Sequence, residues 1–291
     1  MILTSRFKTK VKQVNKVKLN TILIVSVFTF LLTACEVDNT DHPNYGKITS
    51  LTVDWSNRGS GIDIPSSYSV RIGDYSTTLS GAVNSIENLF PPGRYTIYVY
   101  NTASGITLNG IIATADYGIQ GGLGWFFTGR KDILIDRDTE HSFIVEMHQQ
   151  VRQLRLELEA TGDARDRLIG VDGVLSGVAR TINIDTGAPI GTTTTTALTF
   201  TRADNKFTSD IRLLGIAGNS QTLSLTLHFA DGNPASYTVI NDLSSRLSTF
   251  NTDKRTPMTL SSILVVTPTQ AGFTTEISDW IPGGISTGVA D

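Results

Sequence analysis

The chain of 291 residues contains one cysteine, Cys35, which closes the run Leu32-Thr33-Ala34-Cys35. A thiol in that setting is a candidate for thioether chemistry. Its sulfur takes a diacylglyceryl group, and cleavage before it frees an amine for a further acyl chain. Each buried CH₂ contributes about 0.8 kcal/mol, so two or three acyl chains hold a protein on a membrane where one would not. The pattern matches a bacterial lipobox, with Leu32, Thr33 and Ala34 leading into the modified cysteine. A plain secretory signal followed by a free thiol is the alternative. With the single cysteine committed to lipid, a disulfide framework and cysteine catalysis drop out.

The elements around this sulfur suit the chemistry. Arg6, Lys8, Lys10, Lys12, Lys16 and Lys18 form a basic n-region, and Ile22–Leu32 is an apolar run of 11 residues. A helix needs about 20 residues to cross a bilayer core, so this run is too short to span and has the length of a signal-peptide h-region. Residues 1–34 are therefore expected to be a lipoprotein signal peptide. Residues 35–46, opening Glu36-Val37-Asp38-Asn39-Thr40-Asp41-His42-Pro43, are expected to be a solvated tether. The remaining 257 residues carry 18 basic and 27 acidic side chains, a net charge of −9. A body this acidic excludes nucleic acid as a partner.

No other grouping of residues promises catalysis, metal binding or a cofactor. His42, His141, His148 and His228 match no metal-ligand spacing. Asp136-Arg137-Asp138-Thr139-Glu140 has an acidic rhythm but lacks the glycine and distal glutamate of a calcium loop, so it reads as a polar turn. There is no Gly-x-Ser-x-Gly elbow and no phosphate-cradling glycine loop. Trp125-Phe126-Phe127, between Gly124 and Thr128, is the one aromatic cluster. Strand alternation puts Trp125 and Phe127 on one face and Phe126 on the other. Exposed, Trp125 and Phe127 would form a platform for a glycan or a partner protein; buried, they fill a core, which is the reading favoured here.

The rest of the chain reads as strands joined by turns. Thirty-nine threonines lean the composition towards pleated structure, and charged residues at 18% argue against disorder. Ile48–Trp55 alternates around a slip near Thr49-Ser50. Tyr68–Ile72 alternates and turns at Gly73-Asp74, and Arg94–Tyr100 carries aromatic or β-branched residues on both faces, as a central strand would. Further strands are expected at Ile106–Thr114, Gly124–Thr128, Ile133–Asp136 and Ser142–Gln149. Beyond them come Val151–Glu159, short strands from Gly170, Leu198–Arg202, Phe207–Leu214, Thr222–Phe229, Ser236–Ile240, Ser262–Val266 and Gly272–Trp280. Asp231-Gly232-Asn233-Pro234 reads as a hairpin turn and Thr192–Thr196 as a loop or edge strand. Asp242–Asn251 is the one expected helix, with Asp242 as N-cap and Leu243, Leu247 and Phe250 on one stripe. A boundary near residues 149–151 divides this body into 47–150 and 151–291.

Several motifs in order resemble one family. They are the lipobox at Cys35, Val53-Asp54-Trp55, Leu89-Phe90-Pro91-Pro92-Gly93-Arg94-Tyr95 with Tyr98-Val99-Tyr100-Asn101, and Gly124-Trp125-Phe126-Phe127. Met147-His148-Gln149-Gln150-Val151-Arg152-Gln153-Leu154 and Ile277-Ser278-Asp279-Trp280 complete the series. Together they resemble the Bacteroidales fimbrial anchor lipoproteins, the FimB-like minor fimbrial subunits. The resemblance implies an all-β fold of two tandem transthyretin-like, Greek-key β-sandwich domains. It also implies an outer-membrane lipoprotein on the cell surface, held by lipid through Cys35 and joined to other fimbrial subunits by strand exchange. Glu36 and Asp38 loosely fit the acidic surface-export signal of such lipoproteins. Ile281–Asp291 is a candidate exchange segment, although Gly283, Gly284 and Gly288 make it a weak strand former. A glycan-binding surface lipoprotein is the runner-up, and it requires Trp125, Tyr98 or Trp55 in solvent on a shared face. No enzyme activity and no cofactor are expected.

Overall fold

The computed structural model describes residues 44–230, 235–269 and 272–283. Cys35 with Leu32, Thr33 and Ala34, the tether up to residue 43, the turn 231–234 and the tail from residue 284 lie outside the described residues. The described residues from Gly46 onward cluster into one compact unit, and its first half contains eleven strands in chain order. They are β1 (Gly46–Asp54), β2 (Tyr68–Ile72), β3 (Tyr75–Leu79), β4 (Val83–Asn84), β5 (Leu89–Phe90) and β6 (Gly93–Tyr100). β7 (Ile106–Asn109), β8 (Ile112–Ala115), β9 (Phe127–Ile135), β10 (Glu140–Glu146) and β11 (His148–Gln149) follow. The second half has β12 (Arg152–Thr161), β13 (Leu168–Asn183), β14 (Pro189–Thr199), β15 (Thr201–Ala203), β16 (Lys206–Leu213) and β17 (Thr222–Phe229). β18 (Ser236–Asp242), α1 (Ser244–Leu247), β19 (Met258–Thr269), β20 (Gly272–Ile277) and β21 (Ile281–Pro282) complete it. The all-β expectation holds.

Four sheets form among the described residues. In the first half, β10-β1-β4, with β5 also on β1, faces β11-β9-β6-β2-β3. In the second, β15-β16-β12-β19-β20, with β21 on β19, faces β18-β17-β13-β8-β7, with β14 on the far side of β13. The halves share a device. Each opens with a long strand paired in parallel to a late strand, β1 with β10 and β12 with β19. The hairpin β7–β8 from the first half adds to the second half's sheet, Thr181 of β13 opposite Thr114.

Alternation explains where the cores sit. Ile48, Leu51 and Val53 of β1 point inward, and the slip expected near Thr49-Ser50 is present as a register shift between Ile48 and Ser50. Leu154, Leu156 and Leu158 of β12 are fully buried against Leu223, Leu225 and Leu227 of β17. Burying a side chain of this kind stabilises by about 1.5–3 kcal/mol, which fixes register because a one-residue slip would expose the whole set. β6 is covered on both faces, as its sequence implied: Ile97 and Val99 enter the first core, while Tyr98 and Tyr100 pack on a third, smaller one. That third core joins the halves, with Leu123, Phe126 and Val151 meeting Ile182, Ile184 and Leu214.

Several expected elements differ in extent. Ile106–Thr114 is a hairpin and not one strand, because Gly110 takes φ +61° after Asn109. One strand, β9, runs from Phe127 to Ile135 and takes in only the end of the segment expected at 124–128 with most of that at 133–136. The short strands expected from Gly170 are one strand of 16 residues, β13. Thr192–Thr196 belongs to an edge strand, β14. The helix is one turn, Ser244–Leu247, and Asp242 makes an Asx turn to the Ser244 amide (2.9 Å) in place of the cap expected of it. Its apolar stripe of Leu243, Leu247 and Phe250 is buried as expected.

Candidate functional site

The connector between the halves carries buried polar side chains held by hydrogen bonds. Gln149 donates through Nε2 to the carbonyls of Val151 (2.7 Å) and Lys254 (2.6 Å), and its Oε1 accepts from the Gly59 amide (2.9 Å). Gln150 donates to Thr128 Oγ1 (2.8 Å). Arg152 donates from Nε to Thr256 O (2.7 Å) and from Nη1 to Phe250 O (2.6 Å), with its guanidinium over the Phe250 ring. Burial pulls the Arg152 pKa down, opposed by the charge of Asp253. These contacts bind the loop 249–256 to the connector, and Tyr117 adds another tie. Its hydroxyl donates to Ala179 O (2.8 Å) and accepts from Leu214 N (3.2 Å), and burial pushes its pKa up.

Beside the connector lies an open polar cleft of about 700 Å³, lined from both halves by residues that include Asn57, Thr128, Arg130, Gln150, Asp185 and Lys254. Its two arginines are committed to their own aspartates. Arg130 reaches Asp132 (3.0 Å) and Asp185 (3.9 Å), and Arg255 reaches Asp253 (3.4 Å). Lys254, which is partly buried, donates to Gly187 O at 3.2 Å, and burial pushes its ammonium down to about 8. Sequence reasoning singled out the 147–154 connector but missed Lys254, because no local pattern marks a loop lysine that distant segments enclose.

The aromatic cluster is divided between two cores. Phe127 has 0% exposure in the first core, edge-on to Trp55 at 5.6 Å, and Phe126 fills the third. Trp125 packs at the margin of both, with the Arg212 guanidinium over its ring at 5.4 Å. Asn101 pins the segment, accepting from Phe127 N (2.7 Å) and donating to Trp125 O (2.8 Å). Trp55 is buried as well, while Trp125 and Tyr98 are half-buried against the third core. The turn 136–140 is a polar turn: His141 Nε2 accepts from the Asp136 amide, and Asp138 takes φ +49°. Among the described residues no group of three His, Cys, Asp or Glu side chains could hold a metal ion.

Sheet edges are the remaining surfaces of interest. β3, β10 and β18 end their sheets among the described residues. Such an edge presents main-chain donors and acceptors to whatever strand arrives. Ile144 on β10 (57% exposed) and Ile240 on β18 (70%) leave apolar side chains in solvent at two of them.

The family model for fimbrillin-A associated anchor proteins, Mfa1 and Mfa2, matches residues 66–282, well over half of the chain. The chain belongs to this family. As a fimbrillin-associated anchor protein it acts as a fimbrial anchor or minor subunit, a role tied to the cell surface and to other fimbrial subunits. Its fold is that of the fimbrial anchor protein Mfa2 from Porphyromonas gingivalis, with a TM-score of 0.56 at 11% identity over 82% of this chain and 98% of that one. A candidate adhesin from Bacteroides ovatus aligns with a TM-score of 0.52 at 17% identity, covering 69% of this chain and 85% of the other. One from Bacteroides thetaiotaomicron gives 0.54 at 11%, covering 82% and 98%. No curated protein matches the chain.

Proposed function

We propose that this anchor-family protein is an outer-membrane lipoprotein, held by acyl chains on Cys35, that ties a fimbria to the cell surface. The observation that carries the reading is the position of the sole cysteine. It directly follows Leu32-Thr33-Ala34 and an apolar run too short to span a bilayer. Ten residues, 36–45, separate it from β1 and can extend at most about 35 Å, a short leash for a load-bearing attachment. In this reading residues 1–34 are removed, and 47–150 and 151–291 act as two sandwich domains. Neighbouring subunits join by adding a strand to an open edge, where main-chain hydrogen bonds supply affinity and alternate side chains supply specificity. The role is mechanical and needs no catalytic group.

Replacing the sulfur tests this. Cells carrying Cys35→Ala should shed the subunit, and fimbriae with it, into the medium, as read by fractionation and electron microscopy. Retention and fimbriation equal to wild type would refute the proposal.

A further inference from the structure

We propose that the cleft beside the connector is a binding site for a sugar carrying a single carboxylate, a uronic-acid type of ligand, with Lys254 as its anion partner. Three observations converge on that chemistry. The first is the state of Lys254. An ammonium has three protons to donate, yet this one meets a single carbonyl, Gly187 O, at 3.2 Å, and no carboxylate lies within 4.0 Å of it among the described residues. A charged group so enclosed gains most from an anion that enters beside it.

The second is the charge of the ligand. The lining carries three cations, Arg130, Lys254 and Arg255, against two carboxylates, Asp185 and Asp253. Both arginines are already paired to aspartates, so Lys254 is the lining cation left for an incoming anion. A phosphate dianion calls for more positive charge than this; a carboxylate matches it. The third is the rest of the lining. Asn57, Gln150, Thr186 and Thr252 present amides and hydroxyls, the one ring is the imidazole of His148, and Ile184 is the one large apolar side chain. Walls of that kind suit hydroxyl groups and offer little to an apolar molecule. At about 700 Å³ the cleft lies within the range of small-ligand sites, roughly 300–1,000 Å³. Because its walls come from both halves, binding there would also report on the rigidity of the junction.

The test is calorimetric titration of the full chain, purified in detergent, with D-glucuronate and D-galacturonate. D-glucose, D-galactose, acetate and inorganic phosphate are the comparison probes. The proposal expects at least one uronate to bind at least about tenfold more tightly than its neutral sugar and than acetate or phosphate. Lys254→Met should weaken that binding about tenfold or more. Thr252→Glu, a surface change that places a carboxylate at the mouth of the cleft, should weaken it similarly while leaving the melting profile at its wild-type position. The proposal is overturned if neither uronate binds, if neutral sugars bind equally, or if acetate or phosphate binds as tightly as the uronates. Wild-type affinity in both variants would overturn it too.

Discussion

Arg152 is a buried cation held by carbonyls, and Arg152→Met measures what that arrangement contributes. The side chain is 7% exposed, makes two short hydrogen bonds to Thr256 O and Phe250 O and a longer one to Thr249 O (3.2 Å), and covers the Phe250 ring. A hydrogen bond from a charged donor contributes about 1.5–3 kcal/mol, so the two short ones sum to roughly 3–6 kcal/mol before other effects. Against this stands the cost of keeping the guanidinium out of water, which also pulls its pKa down. Methionine escapes that cost, refills most of the stem volume and leaves carbonyls of the 249–256 loop without donors. The net loss is then about 2–4 kcal/mol, or a melting temperature roughly 4–16 °C lower for a unit of this size. Calorimetry and denaturant titration give the stability, and amide hydrogen exchange over 249–256 gives its location. Arg155→Met is the control: Arg155 is paired to Glu157 on the surface and should cost about 0.5 kcal/mol or less. A loss under ~1 kcal/mol for Arg152→Met, or unchanged protection of 249–256, would refute the argument.

Two further expectations concern pH and the aromatic cluster. The Lys254 ammonium has its folded pKa pushed from 10.5 down to about 8, so between these values the unfolded chain holds more protons and stability rises with pH. The burden is fully present below pH 8 and vanishes as pH climbs past 10.5. Lys254→Met should therefore gain on wild type by up to ~3 kcal/mol below pH 8, the gap narrowing towards pH 10.5; a gap independent of pH contradicts this. Phe127→Ala, which empties a fully buried site against Trp55, should cost about 3–5 kcal/mol. Trp125→Ala at the core margin should cost less, about 1–3 kcal/mol. If both were neutral in chemical denaturation, the cluster would be a surface platform after all.

Much of the fold was legible because period-two alternation survives where one face meets a core and the other meets solvent. Tyr68–Ile72 and Thr222–Phe229 were bounded correctly on that basis. Glycines misled elsewhere. Gly173 looks like a break within β13, yet a Cβ there would crowd Leu198, Leu225 and Phe200 at 3.2 Å, so the residue marks close packing inside a continuous strand. Gly129 plays the same part in β9, where a Cβ would meet Val145 at 2.6 Å. The Asn109-Gly110 pair did carry a hairpin signal, although the surrounding apolar residues read as a single strand. What brings β7–β8 into the other half's sheet is tertiary: Ile182 and Ile184 of the second half complete a core that Ala113 and Ala115 cannot close alone. The cleft was hidden for the same reason. Asn57, Gln150, Asp185 and Lys254 meet through folding, and no window of sequence contains more than one of them.

Mass spectrometry of the N-terminal peptide from the native outer-membrane fraction tests the anchoring account most directly. The account predicts a first residue of Cys35 bearing a thioether-linked diacylglyceryl group, with residues 1–34 absent. An unmodified Cys35 thiol, or peptides that run through Ala34 into Cys35, would contradict it.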